Sequence, residues 1–295
     1  MIEHHYQVLV NPFPILPRHF TIPTRRHKPQ SIYEHFTTMR HLAWTLQKYV
    51  VFYNGPKCGA SCPDHLHLQA GSRGYVPLER DWKLYDGRLE KLYPLTGSEM
   101  QEMEDAGNVS RRCGLFLLHD YACPVFVIRS LPEETDSLLC QRLYHALPVV
   151  DDEDEPRMNV LCWREKGNES RGDEIITIIF PRKKHRPDCY YVDEEADKML
   201  ISPGALDMGG LFITPRREDY DRFTTERAVA LLREVTMTED ELRPVVEKVT
   251  DDKAPVTNAD TSTLQSAVPD LAERELLVGL ISAPSVSFTI NGEYT

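Results

Sequence analysis

Apolar side chains recur at three- and four-residue steps through Ile32, Phe36, Met39, Leu42, Leu46 and Tyr49, and Ser31-Ile-Tyr-Glu34 reads as a capping box at their start. That spacing predicts an amphipathic helix from residue 31 to about 49. Before it, β-prone Tyr6–Val10 and Phe20–Ile22 are separated by Pro12, Pro14 and Pro17, which predicts a hairpin. After it, the apolar run 50–53 predicts a strand that enters a loop of small and turn-forming residues, Asn54 to Asp64. The chain leaves that loop as His65-Leu66-His67-Leu68-Gln69. Alternate side chains of a strand share a face, so His65, His67 and Gln69 point one way while Leu66 and Leu68 point into the core.

The rest of the chain is patterned less evenly. Residues 72–112 carry little signal beyond Ser98-Glu-Met-Gln101, a capping box for a short helix ending near Gly107. Residues 113–130 predict two strands on either side of Cys123-Pro124, and Leu138, Leu139, Leu143 and Leu147 put a helix within Glu133–Leu147. The acidic run Asp151-Asp-Glu-Asp-Glu155 reads as a solvated loop, with Mg²⁺ binding as the alternative. Strands follow from Met158 and from Glu174, then a basic turn, Pro181-Arg-Lys-Lys-His-Arg-Pro187, and the stretch 200–215, in which Asp207-Met-Gly-Gly210 reads as a turn rather than a ligand contact. This order echoes residues 8–30 and implies a pseudo-repeat of two related halves. Helices are predicted at about 225–235 and 239–249, the second opened by the capping box Thr238-Glu-Asp-Glu241.

The fold class is therefore α+β, with two pseudo-repeated halves (about 1–112 and 113–249) sharing an antiparallel sheet flanked by helices. Residues 250–272 have the polar, Pro/Ser/Thr/Asp-rich composition of a linker, and 273–295 read as the start of a further, incomplete β-rich domain, which leaves open whether the chain is a fragment of something longer.

Composition narrows the function. At 295 residues and 41% hydrophobic content the chain buries a substantial core. A net charge of -12 disfavours nucleic acid as a partner, and an anionic substrate must be gathered by a local basic cluster. Two clusters exist: Arg25-Arg-His-Lys28, and the turn holding Arg182 and Lys183. Each is read either as a phosphate contact or as a solvated turn. The 7 cysteines lack the spacing of a secreted disulfide scaffold, which fits a reducing cytoplasm. No stretch approaches membrane-spanning length, and no export signal opens the chain.

The chemistry concentrates at residues 54–69. Gly55, Gly59, Ala60 and Ser61 let backbone N–H groups approach an anion, and a phosphate facing a row of imidazoles is the natural occupant. His65-Leu-His67-Leu-Gln69, with Asn54 and Gly59-Ala60-Ser61 upstream, resembles the H-x-H-x-Q motif of the histidine triad superfamily. The resemblance is to its transferase and phosphorylase branches, which include galactose-1-phosphate uridylyltransferases, diadenosine tetraphosphate phosphorylases and GDP-L-galactose phosphorylases. The segment Asn11–Gln30 resembles the family's crossing between strands. The resemblance implies a covalent nucleotidyl intermediate on His67, oriented by His65, with Gln69 and Ser61 donating to the α-phosphate. Asn54 and Gly59 belong to the same implied phosphate-binding set, and Arg25, Arg182 and Lys183, which follow apolar strands in both halves, are the phosphate contacts that the basic clusters offer. A glutamine where the hydrolases have a third histidine implies an intermediate that waits for phosphate or a sugar phosphate.

Nucleophilic attack needs His67 neutral, with its other ring nitrogen fixed by a carbonyl near His65. The chemistry requires no metal, although Mg²⁺ can accompany the substrate. Cys58, Cys62 and His65 have a spacing that would hold Zn²⁺ with a ligand such as His27, and free thiols are the alternative. Relatives in this branch usually carry a further stretch, often with Cys-x-x-Cys, before the first strand. The end of the chain resembles the opening of a stage II sporulation protein D-like domain. Two rivals stand beside the transferase: an inactive nucleotide-binding or scaffolding module joined to a cell-wall-related domain, and a dinucleoside polyphosphate hydrolase, which Gln69 argues against. A homodimer is left open, as are the base and the sugar.

Overall fold

The computed structural model describes residues 5–93, 113–131, 137–167 and 172–251. In chain order the elements are β1 (Leu9–Val10), β2 (Phe20–Pro23), α1 (Phe36–Thr45), β3 (Tyr49–Asn54), β4 (His67–Ser72), α2 (Pro77–Arg80), β5 (Leu89–Tyr93), β6 (Gly114–Leu118), β7 (Val125–Ser130), α3 (Ser137–Ala146), β8 (Met158–Glu165), β9 (Glu174–Pro181), α4 (Ala205–Met208), α5 (Arg217–Arg222), α6 (Thr225–Val235) and α7 (Glu239–Thr250). The strands form one nine-stranded sheet in the order β1-β2-β4-β3-β8-β9-β7-β6-β5. All neighbours are antiparallel.

That order contains the same arrangement twice. A hairpin, a helix and a second hairpin give β1-β2-β4-β3 on one side and β6-β7-β9-β8 on the other, and the two meet where β3 pairs with β8, with β5 added at the far edge. The sequence echo sets 158–187 beside residues 8–30, but the strand order sets β8 and β9 beside β3 and β4. The basic turn therefore follows the counterpart of the histidine strand, not of β2.

Each face of the sheet is covered. On one, Phe36, Met39 and Leu42 of α1, Leu139 and Leu143 of α3, and Leu242, Val245 and Val249 of α7 pack on Val51, Tyr53, Leu66, Leu68 and Val160. Leu66 and Leu68 are fully buried, as the alternation requires, and each contributes about 1.5–3 kcal/mol of apolar burial. On the other face, Val76, Leu78, Ala205, Met208 and Val235 cover Phe52, Leu161, Trp163, Ile178 and Phe180.

Several expectations change. The box at Ser31 does not form: the helix opens with a 3-10 turn, Tyr33–His35, and has no side-chain cap. The Ile32 N–H instead donates to Glu155 at 2.9 Å. Glu155, expected in solvent, is 2% exposed and also accepts from the Tyr53 hydroxyl. α1 ends at Thr45, so Tyr49 opens β3 rather than closing the helix. The box at Thr238 forms in full and starts α7. The helix expected near 98–107, the first residues of the one expected from Glu133, the linker beyond 251 and the stretch 273–295 lie outside the described residues. Among the described residues no helix is long and apolar enough to cross a membrane.

Candidate functional site

The site lies where β4 begins. Pairing of β3 with β4 runs from Tyr49–Ser72 to Phe52–Gln69 and stops, while β3 continues to Asn54 on β8. Beyond Gln69 the strands part, and the Gln30 side chain occupies the gap. Gln30 Oε1 accepts from the His67 N–H at 2.8 Å, and its Nε2 donates to the carbonyls of His67 (3.1 Å) and Asn54 (2.9 Å).

His67 is 7% exposed. Its Nδ1 lies 2.8 Å from the His65 carbonyl, and a carbonyl only accepts, so Nδ1 carries the proton and Nε2 the lone pair. No protein group among the described residues bonds Nε2. Burial lowers the pKa of His67, with the neighbouring His65 adding to the shift and the His65 carbonyl opposing it. The ring is therefore held neutral, with the lone pair on Nε2. His65 is fixed in turn by Nε2, which donates to the Thr24 carbonyl at 2.7 Å.

Gln69 is oriented by a residue that sequence reading passed over. His19 is 2% exposed, and its Nδ1 accepts from the Ile15 N–H at 3.1 Å. Its Nε2 must then carry the hydrogen, which it donates to Gln69 Oε1 at 2.9 Å. With the oxygen so occupied, the Gln69 NH₂ is the unspent end of the amide. Burial lowers the His19 pKa, which keeps this tautomer neutral.

Asn54 repeats the device on the neighbouring strand. Its Oδ1 accepts from Asn159 Nδ2 (2.9 Å) and the Ala205 N–H (2.7 Å), so its NH₂ is the unspent end. Asn159 also donates to the Cys58 carbonyl at 2.7 Å and accepts from Arg182. Close approach is what the glycines here supply. A Cβ on Gly59, whose φ is +89°, would stand 2.9 Å from Gly204 Cα, and one on Gly204 would stand 3.1 Å from Asn54 Oδ1.

The other expected residues divide. Arg182 is 3% exposed, and its guanidinium donates to Asn159 Oδ1 and to the carbonyls of Pro203, Lys184, His185 and Val235. All five N–H groups are spent, so it has none for a phosphate; it ties the second half to the Asn54 loop. Lys183 is committed to Glu241 at 3.2 Å. Arg25 is exposed and donates to the Tyr6 carbonyl through Nε. Ser61 is exposed in the loop.

The zinc site does not form. Cys58 is buried, and burial pushes its thiol up to about 11, while Cys62 faces solvent. Among the described residues no group of three or more His, Cys, Asp or Glu could hold a metal ion, which also leaves the acidic run without a Mg²⁺ site. His27 instead pairs with Asp64 at 3.5 Å and lies against the His65 ring, centroids 4.7 Å apart.

A cavity of about 450 Å³ opens elsewhere, lined by Lys28, Ser31, Tyr33, Glu34, His35, Tyr144, His145 and Asp154 among others. Its tyrosines and histidines are largely paired, Tyr33 with His145 and His35 with Tyr6, and Glu34 and Asp154 outnumber its one lysine. That lining does not suit the phosphates of a nucleotide, and the surroundings of His67 remain the candidate site.

Comparison with family models matches residues 1–72 to a domain of unknown function (DUF4922) and residues 99–254 to the GDPGP1-like, C-terminal domain. No curated protein and no solved structure matches the chain. The first matched stretch supplies Gln30, Asn54, His67 and Gln69, and the second supplies Asn159, Arg182 and Ala205, so the site is assembled from both. Neither match reaches 273–295, and the likeness to a sporulation protein D-like domain has no support from them.

Proposed function

The chain belongs to the GDPGP1-like family, and from that membership we propose that it is a nucleotide-sugar phosphorylase working by double displacement through a nucleotidyl-histidine on His67. In the first step Nε2 attacks the α-phosphorus of a nucleoside diphosphate sugar. The N–P bond forms as the bond from phosphorus to the bridging oxygen breaks, and that electron pair leaves on the sugar phosphate. Positive charge develops on the imidazole and is carried by the Nδ1–H on the His65 carbonyl. The NH₂ groups of Gln69 and Asn54 face the oxygens on which negative charge collects, where fixed dipoles stabilise the transition state without reorganising. In the second step an oxygen of inorganic phosphate attacks the same phosphorus, and the N–P electron pair returns to Nε2.

The observation that carries this reading is the tautomer of His67: a buried, neutral imidazole with its proton directed into the backbone and its lone pair outward. The H-x-H-x-Q motif and the twofold strand order support a histidine triad ancestry for both halves. Exposed Arg25 and Arg26 at the end of β2 are the candidates for gathering the anionic substrate on a chain of net charge -12.

Incubation with nucleoside diphosphate hexoses and inorganic phosphate should release the hexose 1-phosphate and the nucleoside diphosphate. Release should depend on phosphate, and Gln69→His should increase hydrolysis to the monophosphate. Failure of phosphate to accelerate consumption of any guanosine, uridine or adenosine diphosphate hexose would set the phosphorylase aside in favour of a nucleotide-binding module.

A further inference from the structure

Antiparallel strands hold their first residues by pairing them with a neighbour, and His67 lacks that support on its β3 side. Phe52–Gln69 is the last pair between β3 and β4, although both strands have residues beyond it, Asn54 on one and His67 on the other. A side-chain amide takes the place of the missing pair. Gln30 is 1% exposed, and it offers one oxygen to an N–H and one NH₂ to two carbonyls, as a backbone peptide would. Its amide has only one workable orientation, since the flipped form would set NH₂ against the His67 N–H and oxygen against two carbonyl oxygens.

The backbone around Gln30 is fixed to the same loop from both sides. The Leu66 N–H donates to the Lys28 carbonyl at 2.6 Å, and the Gln30 N–H donates to the Pro63 carbonyl at 3.0 Å. The wedge is thus anchored independently of the histidines that it holds.

The consequence reaches the ring of His67. The Nδ1 proton rests on the carbonyl of His65, two residues back in the same chain, and that contact survives only while the peptide planes between them keep their present tilt. Gln30 grips the His67 peptide at its N–H and at its carbonyl, and grips the Asn54 carbonyl with the same nitrogen, which also sets the separation between His67 and the Asn54 amide. We infer that Gln30 is the positioning residue of the nucleophile: by replacing the missing strand pair it holds His67 in the tautomer that presents Nε2, and it sets the gap into which the phosphate fits. This rests on reading His67 as the nucleophile, and the readout that decides it, the tautomer of the ring, needs no nucleotide.

The full chain labelled with ¹⁵N should show, in two-bond ¹H–¹⁵N correlation spectra of its imidazoles, a His67 ring protonated at Nδ1 alone, assigned by the signal lost in His67→Asn. In Gln30→Met, of similar length but without donor or acceptor, that ring should become a mixture of tautomers. The rate of nucleotidyl transfer to His67 should fall on the order of a hundredfold, with nucleotide affinity within about threefold of the parent. Gln30→Glu keeps the shape and one acceptor but loses both donors. Its tautomer mixture should revert towards Nδ1–H as pH is lowered and the carboxyl regains a proton to donate, within the range where His67 is still neutral. If Gln30→Met does not fold, Gln30→Glu decides alone. A folded variant whose His67 stays wholly Nδ1-protonated at every pH would overturn the inference, even if nucleotide still labels His67. An altered tautomer in a chain that no nucleotide labels would uphold Gln30 as the support and dismiss the phosphorylase.

Discussion

The two second hairpins of the sheet occupy equivalent places and do opposite things. β8 and β9 pair without a break from Met158–Pro181 to Glu165–Glu174, whereas β3 and β4 pair over four positions and then open. At the closed end, Arg129 of β7 spans to Glu174 at 2.6 Å and to Asp86, so that charged groups there are bonded to one another. At the open end the described residues show no such pair on His67, Gln69 or Asn54, and these neutral groups each have one end bonded to protein and the other unspent. A sheet that completes its pairing has nothing left to offer a substrate. The candidate site lies where one hairpin stops early and the polar groups left unpaired there are oriented from behind.

Asn54 is oriented from the other half, by Asn159 and the Ala205 N–H, and removing Arg182, which holds Asn159, should have the largest effect. Arg182→Ala takes the donor from oxygens of Asn159, Pro203, Lys184 and His185, while the Val235 carbonyl keeps the N–H groups of Lys183 and Lys184. The expected loss is about 4 kcal/mol or more in urea unfolding, since each stranded group costs roughly 1–3 kcal/mol. A loss under about 1 kcal/mol with weakened nucleotide binding would return Arg182 to the role of phosphate contact.

Glu155, from the loop before β8, braces the start of α1, and its effect should depend on pH. Burial raises its carboxyl from 4.5 to about 7 against the hydrogen bonds from Tyr53, Ile32 and Ser31. The folded chain then keeps a proton that the unfolded chain has lost. The stability this gives is complete below pH 4.5 and is lost as pH rises to about 7, at a cost of about 3 kcal/mol. His35 and His185, each lowered to about 4 by burial, act in the opposite sense between that value and 6.5, but they are common to both proteins and cancel in the difference. Glu155→Gln should therefore gain on the parent between pH 5 and pH 8 in urea unfolding. An unchanging difference across that range would mean the carboxyl does not titrate there.

At the closed hairpin, Glu174→Gln should cost about 2–3 kcal/mol, because Arg129 keeps Asp86 as a partner. Nucleotidyl transfer should be untouched, and a loss of transfer without loss of stability would break the contrast between the halves. The smallest effect expected is that of His19→Phe. It releases Gln69 Oε1 and lets the amide turn, so transfer should slow by about 10- to 100-fold. Stability should change by only about 1 kcal/mol, read by thermal unfolding.

How much of this the sequence discloses depends on whether a residue's role repeats along the chain. His65 to Gln69 alternate with buried leucines, so their shared face is legible from a period of two. The carbonyl needed by His67 is legible too, because an imidazole that attacks must park its other proton. The helices at 225–235 and 239–250 announce themselves by spacing and, for the second, by a capping box that forms. Single buried polar residues leave no such trace. Gln30 and His19 lie in a proline-rich stretch without periodicity, and their partners are 37 and 50 residues away. Arg182 and Glu155 are each disguised by runs of like charge. Composition reports that charge is present, while burial, which reverses its meaning, is decided by strands distant in the chain.

The central claim is that the open hairpin makes His67 a nucleophile. It is tested most directly by incubating the chain with a nucleoside diphosphate sugar labelled at the α-phosphate, without inorganic phosphate, and mapping the label by peptide mass. The account predicts one nucleotidyl group on the peptide that contains His67. Its bond should be acid-labile, as a phosphoramidate is, should be discharged by added phosphate, and should be absent from His67→Ala. Label that persists in His67→Ala, or that maps to another residue of the parent, would contradict it.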